Sequence, residues 1–201
     1  MEQLLDHLNS LTPLSAGLRA YLLKVLKKMT LRKGDFLLKA GELDKYVCFI
    51  QKGLIRYYKI ENEEIVKMKF MSEGDIVVSA KYVFGLKENR EYIEALEDCE
   101  LLYITVTEAA HARLEYPDFR RLDTKIFGEH ICHHQIQFLD IPLARGLYRY
   151  KFMLEEYPAL VKRIPIKILA AYLRMDPAKL RIRIKKIKPN KVKQLPGILR
   201  H

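Results

Sequence analysis

Between Met29 and Thr105 the chain is cut into short runs of β-branched and aromatic residues, broken by glycine or asparagine about every ten residues. The runs are Phe36-Leu37-Leu38, Tyr46-Val47-Cys48-Phe49-Ile50, Leu54 to Ile60 and Ile65 to Phe70, with Tyr92 to Leu96 and Leu101 to Thr105 after them. Gly34, Gly41, Gly53, Asn62 and Gly74 supply the breaks. Spacing of this kind predicts an antiparallel barrel or roll whose glycines sit where the backbone turns through positive φ.

Helical periodicity flanks the roll on both sides. Leu4 to Lys28 reads as two short amphipathic helices interrupted at Thr12-Pro13. Thr107 to Leu114 reads as a short helix that stops before Tyr116-Pro117, because the residue preceding proline is pushed out of the α region. Asp118 to Asp140 then reads as one long helix. Along it Phe127, Ile131, His134, Phe138 and Ile141 recur at alternating spacings of four and three, the period of a two-helix seam. That stripe predicts a homodimer, with packing against the roll of the same chain as the alternative. Asp140-Ile141-Pro142 breaks the helix and marks a hinge. Beyond it come a helix from Arg145 to Tyr157, a short segment from Ala159 to Ile164, and a final helical pair. The class is α+β, divided as residues 1–117 (roll with N-terminal helices), 118–140 (dimerisation helix) and 141–201.

Charge separates the same halves. Residues 1–140 carry 20 Lys and Arg against 22 Asp and Glu, whereas residues 141–201 carry 16 against 3, which accounts for the net charge of +11. Clustered cations displace counterions from phosphates, so the basic end points to double-stranded DNA as partner. No stretch approaches the roughly 20 apolar residues that span a bilayer, and Glu2 and Asp6 sit where a signal peptide needs basic residues, so a cytoplasmic protein without membrane partners is expected. The cysteines Cys48, Cys99 and Cys132 form no CxxC or four-ligand cluster, and the first two fall in strand-like runs where buried, reduced thiols are expected. His130, Cys132, His133 and His134 lie close on the long helix, yet without an acidic or cysteine partner at the next turn they read as packed and rim residues. No metal and no cofactor is expected. The chain has no Ser/His/Asp order, phosphate-cradling glycine loop or paired catalytic carboxylates, so no enzymatic activity is expected.

The order roll, long helix, hinge and terminal helical pair, with Gly34-Asp35, Gly41-Glu42, Phe49-Ile50-Gln51-Lys52-Gly53 and Glu73-Gly74-Asp75, resembles the cAMP receptor protein and FNR superfamily of transcription regulators. Arg149-Tyr150, Tyr157-Pro158, Ile164-Pro165 and Ala170-Ala171-Tyr172-Leu173 are similar to its Bacteroidetes version. The resemblance covers roughly residues 27 to 187. It implies a homodimeric regulator with an N-terminal roll of the cyclic-nucleotide-binding class, a C-terminal winged helix-turn-helix, and RNA polymerase as a further partner. In that family a glycine-glutamate pair takes the ribose hydroxyl and an arginine-serine pair meets the phosphate. The corresponding positions here are assigned to Gly74-Asp75 and Asn89-Arg90. Asn89 then replaces the arginine, and Arg90 is displaced by one residue, which on a strand turns a side chain to the opposite face. The pocket is therefore expected to be degenerate, with either no effector or an unidentified one.

Within the basic end, Ile166 to Leu173 reads as a supporting helix, Arg174-Met175-Asp176 as the turn and Pro177 to Ile187 as the recognition helix, with Asp176 as N-cap and Pro177 at the first helical position. Leu180, Ile184 and Ile187 supply its buried face. The resemblance places glycine in this turn, so Arg174 must adopt a left-handed conformation. Arg181 is assigned to guanine reading, and Lys179, Arg183, Lys185, Lys186 and Lys188 to phosphates. Between Pro177 and His201 the chain has nine Lys and Arg and no acid, where a merely solvated face would mix signs. The competing reading is a ligand-binding or protein-interaction module whose basic end binds nucleic acid without sequence preference.

Overall fold

The structure, a computed structural model, describes residues 1–79, 89–135 and 146–186. Its contacts divide the chain into two compact units, Met1–Gln135 and Ile136–His201.

The first unit opens with α1 (Glu2–Leu11) and α2 (Ala16–Val25). Ser15 caps α2, accepting from the Leu18 amide at 3.2 Å, while its own N–H donates to Asp118 Oδ2 at 2.7 Å. The helical reading carried to Lys28 ends early. Lys27–Leu31 is the first strand, β1, because it pairs with a later strand that offers its backbone an antiparallel ladder. Then follow β2 (Phe36–Leu38), β3 (Tyr46–Lys52), β4 (Ile55–Glu61), β5 (Glu64–Met71), β6 (Ile76–Val77), β7 (Glu91–Ala95) and β8 (Cys99–Thr105). They form two four-stranded antiparallel sheets, ordered β1-β8-β3-β6 and β2-β7-β4-β5.

Strand periodicity sorts the core into two layers. Cys48, Ile50 and Leu101 point between the sheets, where they join Leu38, Ile55 and Ile93. Their neighbours Phe49, Leu102 and Ile104 point outward, against Leu5, Leu8, Leu18 and Leu22 of the N-terminal helices. Both faces of this sheet are covered, which is why β3 and β8 read as near-continuous apolar runs.

Thr105 starts α3 (Val106–Glu115) through a capping box, accepting from the Glu108 amide at 3.1 Å while the Glu108 carboxylate takes the Thr105 amide at 2.7 Å. α4 (Pro117–Gln135) opens on proline, and Phe119, Leu122 and Ile126 pack into the outer core layer. The stripe read as a seam begins beside that face with the half-buried Phe127. Ile131 and His134 lie on the helix, but their side chains, like those of His130, Cys132 and His133, are outside the described residues, as are Phe138 and Ile141 altogether.

In the second unit the described elements are α5 (Gly146–Glu156), α6 (Pro158–Arg163), α7 (Ile166–Tyr172) and α8 (Pro177–Lys186). The segment read as Ala159 to Ile164 is a short helix up to Arg163, with Ile164 as its extended C-cap, because Pro158 at its first turn supplies a helical φ and lacks only an N–H that would have no helical partner anyway. Met153, Ile164, Leu169, Leu173 and Leu180 are buried here. No helix among the described residues is long and apolar enough to cross a membrane, and among them no group of three or more His, Cys, Asp or Glu is placed to hold a metal ion.

Candidate functional site

The two ends of the chain offer different chemistry, and the basic end is the more complete construction. α7 closes in a Schellman turn: the Met175 amide donates to Ala170 O at 2.9 Å and the Arg174 amide to Ala171 O at 3.0 Å. Arg174 takes the left-handed position at φ 49°, as the resemblance implied, at a cost of about 1 kcal/mol relative to glycine. Asp176 then begins α8, its Oδ1 accepting from the Lys179 amide at 2.9 Å. A second device holds the turn. The buried Arg149 guanidinium on α5 donates through Nη2 to Leu173 O, tying α5 to the end of α7. Burial, with Arg174 nearby, pushes the Arg149 pKa down from its ordinary value.

α8 divides cleanly by face. Leu180 is wholly buried and Ile184 half-buried, whereas Lys179, Arg181, Arg183 and Lys185 are exposed. Ile184 thus lies with Leu180 on the packed face, and Arg183 faces solvent. Lys186 closes the helix with its side chain outside the described residues, and Lys188 lies beyond them.

In the roll, three of the residues assigned to a ligand, Gly74, Asp75 and Asn89, have backbone tasks. Asp75 ends a tight turn in which its N–H donates to Ser72 O at 3.0 Å and its Oδ2 accepts from the Ser72 amide at 2.7 Å, with Gly74 at φ 92°. The same wiring recurs at Asp35 with Arg32 and at Glu42 with Lys39, where the carboxylates accept the amides at 2.8 and 2.9 Å. These Gly-acid pairs are turn devices. Asn89 is buried, with Nδ2 donating to Lys39 O at 2.7 Å and Glu91 O at 3.2 Å and Oδ1 accepting from the Glu91 amide at 3.0 Å. It stitches the loop after β2 to β7. Arg90, the fourth assigned residue, is exposed.

A residue that sequence reasoning missed lies within the same roll. Lys69 on β5 is only 2% exposed, opposite Tyr57 of β4 in the ladder, with its Nζ 4.2 Å from the Tyr57 ring centroid. Burial lowers its pKa to about 7, and the carboxylates of Glu91 and Asp75 pull the other way. The Cys48 thiol is buried too, and its pKa is pushed up to about 12 by burial. The signal was available in principle: Lys69 shares its strand phase with Met71, which faces the inter-sheet core. It was hidden because Met68 and Phe70 on the opposite face are also buried, so the run shows no alternation to give the lysine a direction.

Residues 28–112 match the model of the cyclic nucleotide-binding domain family. No curated protein sequence matches the chain. Among solved structures, FixK2 from Bradyrhizobium japonicum is similar at 16% identity, covering 81% of this chain and 84% of that one with a TM-score of 0.67. The c-di-GMP responsive global regulator CLP of Xanthomonas campestris is similar at 14% identity over 86% of this chain and 91% of its own, with a TM-score of 0.62. The catabolite activator protein of Thermus thermophilus follows at 13% identity over 90% and 85%, with a TM-score of 0.53. Identities this low establish the fold alone. Residues 28–112 are thus similar to the cyclic nucleotide-binding domain family, and the solved structures that share the fold include a c-di-GMP responsive global regulator and a catabolite activator protein.

Proposed function

We propose that this chain is a homodimeric DNA-binding transcription regulator of the cAMP receptor protein and FNR type, in the version found in the Bacteroidetes, with a degenerate cyclic-nucleotide pocket. The observation that carries the reading is α8: a helix held by a Schellman turn, an N-cap and a buried arginine, presenting Lys179, Arg181, Arg183 and Lys185 to solvent without an acid among them. A helix so mounted and so charged suits the major groove of a phosphate duplex. Two copies joined through the Phe127 to Ile141 stripe would set their recognition helices about 34 Å apart, one turn of B-DNA. Lys186 and Lys188 extend the cationic run, and RNA polymerase is the further partner such a regulator needs.

The test is a salt titration with duplexes enriched from a random library and with unselected DNA. The selected duplex is expected to bind about 1,000-fold more tightly, with log affinity falling steeply against log salt on both. Equal affinity at every salt concentration would instead identify a module that holds nucleic acid without reading it.

The pocket reading rests on Asn89 and Asp75, both engaged by backbone groups, and on the carboxylates beside Lys69, which oppose an entering phosphodiester. Calorimetric titration with cyclic AMP and cyclic GMP is accordingly expected to give no binding heat. Saturable heat with either nucleotide would restore a working pocket.

A further inference from the structure

One side chain on α8 fits neither task so far assigned to that helix. Ile182 lies between Arg181 and Arg183 and is 55% exposed. Helical spacing puts it on one face with Ala178 and Lys185, four before and three after, turned away from the buried Leu180 and the half-buried Ile184. Ala178 and Lys185 are exposed as well. A β-branched apolar side chain forgoes burial there, in the middle of a cationic face where lysine or glutamine would be soluble and the better helix former. Its position is the outermost of the helix, where a groove-bound α8 makes its closest approach to the base edges.

We propose that Ile182 is a specificity-determining residue that packs on the C5 methyl group of thymine, so that each half-site contains an A·T pair opposite the middle of α8. The inference rests on the DNA-binding reading of this helix and names the chemistry it reads. Isoleucine has no donor or acceptor to offer a base, and the thymine methyl is the apolar group that the major groove displays. Arg183 and Lys185 supply the attraction to phosphate, which carries no sequence information, while Arg181 is left to read guanine. Ile182 supplies discrimination without charge. Ala178, one turn earlier on the same face, leaves room for the helix to approach closely enough for that contact.

The experiment uses the full chain and a duplex enriched from a random library. Each thymine is replaced in turn by deoxyuridine, which removes the methyl and leaves pairing intact. At one position per half-site the wild-type chain is expected to lose about fourfold in affinity, the value of one buried methyl group. Ile182→Ser should bind thymine and deoxyuridine duplexes equally while keeping the wild-type salt slope, because no charge is altered. Ile182→Val, which retains a branched apolar group, should keep the preference. Circular dichroism of Ile182→Ser is expected to match wild type, since the side chain is exposed. If a duplex is enriched but no deoxyuridine substitution weakens it, or if Ile182→Ser retains the full methyl dependence, the Ile182 inference is overturned and the regulator reading stands. If no duplex is enriched over random DNA, the regulator reading itself fails.

Discussion

Replacing Lys69 by methionine is expected to stabilise the roll by several kcal/mol at neutral pH and to flatten the pH dependence of its unfolding. In the unfolded chain the amine titrates near 10.5, and in the folded chain burial brings it to about 7. Between those values the unfolded state holds a proton that the folded state has released, so stability rises with pH across the interval. Below about pH 7 both states are charged and the full penalty applies. Above the unfolded value both are neutral and it vanishes. Each unit of displacement is about 1.4 kcal/mol, which puts an upper bound of about 5 kcal/mol on the effect. Urea unfolding followed by far-UV circular dichroism, with the chain free of tryptophan, provides the measurement. The two proteins should differ most near pH 6 and converge toward pH 10. Parallel curves would mean that Lys69 is solvated in the folded state.

A loss of comparable size is expected from Gly53→Ala. Gly53 joins β3 to β4 at φ 114°, and its N–H donates to Glu73 Oε1 at 2.8 Å. A Cβ there would lie 2.5 Å from Cys99 Sγ, 2.9 Å from Cys99 Cα and 3.0 Å from Asp98 O. Two of these three atoms are backbone and cannot rotate away, so strand β8 or the turn must move. The combined strain and displacement should cost about 3 kcal/mol or more in urea unfolding. Gly34→Ala is the internal control, because Gly34 has φ 91° but nothing within 4 Å of its added carbon. It should lose about 1 kcal/mol, the conformational share alone. Equal losses in the two variants would show that the approach of Cys99 carries no weight.

The strands were legible because turn residues recur at a spacing that only short extended segments can satisfy. β6 was not, since Ile76–Val77 is too short to display alternation and owes its pairing to Cys48 and Phe49 of β3. The start of α8 was legible because proline, an N-cap aspartate and the following apolar spacing act locally, whereas the left-handed Arg174 followed from the resemblance. The roll interior was harder to read. Gly74-Asp75 has a ligand role by resemblance, and the structure adds that it forms the same turn as Gly34-Asp35 and Gly41-Glu42, a repetition that sequence reasoning missed. Lys69 was hidden for a different reason: a strand buried on both faces gives no binary pattern from which the direction of a lysine can be inferred.

Structural support and solvent exposure fall on different positions of α8. Leu180, Asp176 and Arg149 anchor the helix, and none of them shares the outward face of Ala178, Ile182 and Lys185. Outward letters can thus be exchanged without disturbing the mount beneath them. If α8 reads DNA as proposed, a lineage carrying this scaffold could drift toward new binding sequences by single substitutions on that face without loss of fold.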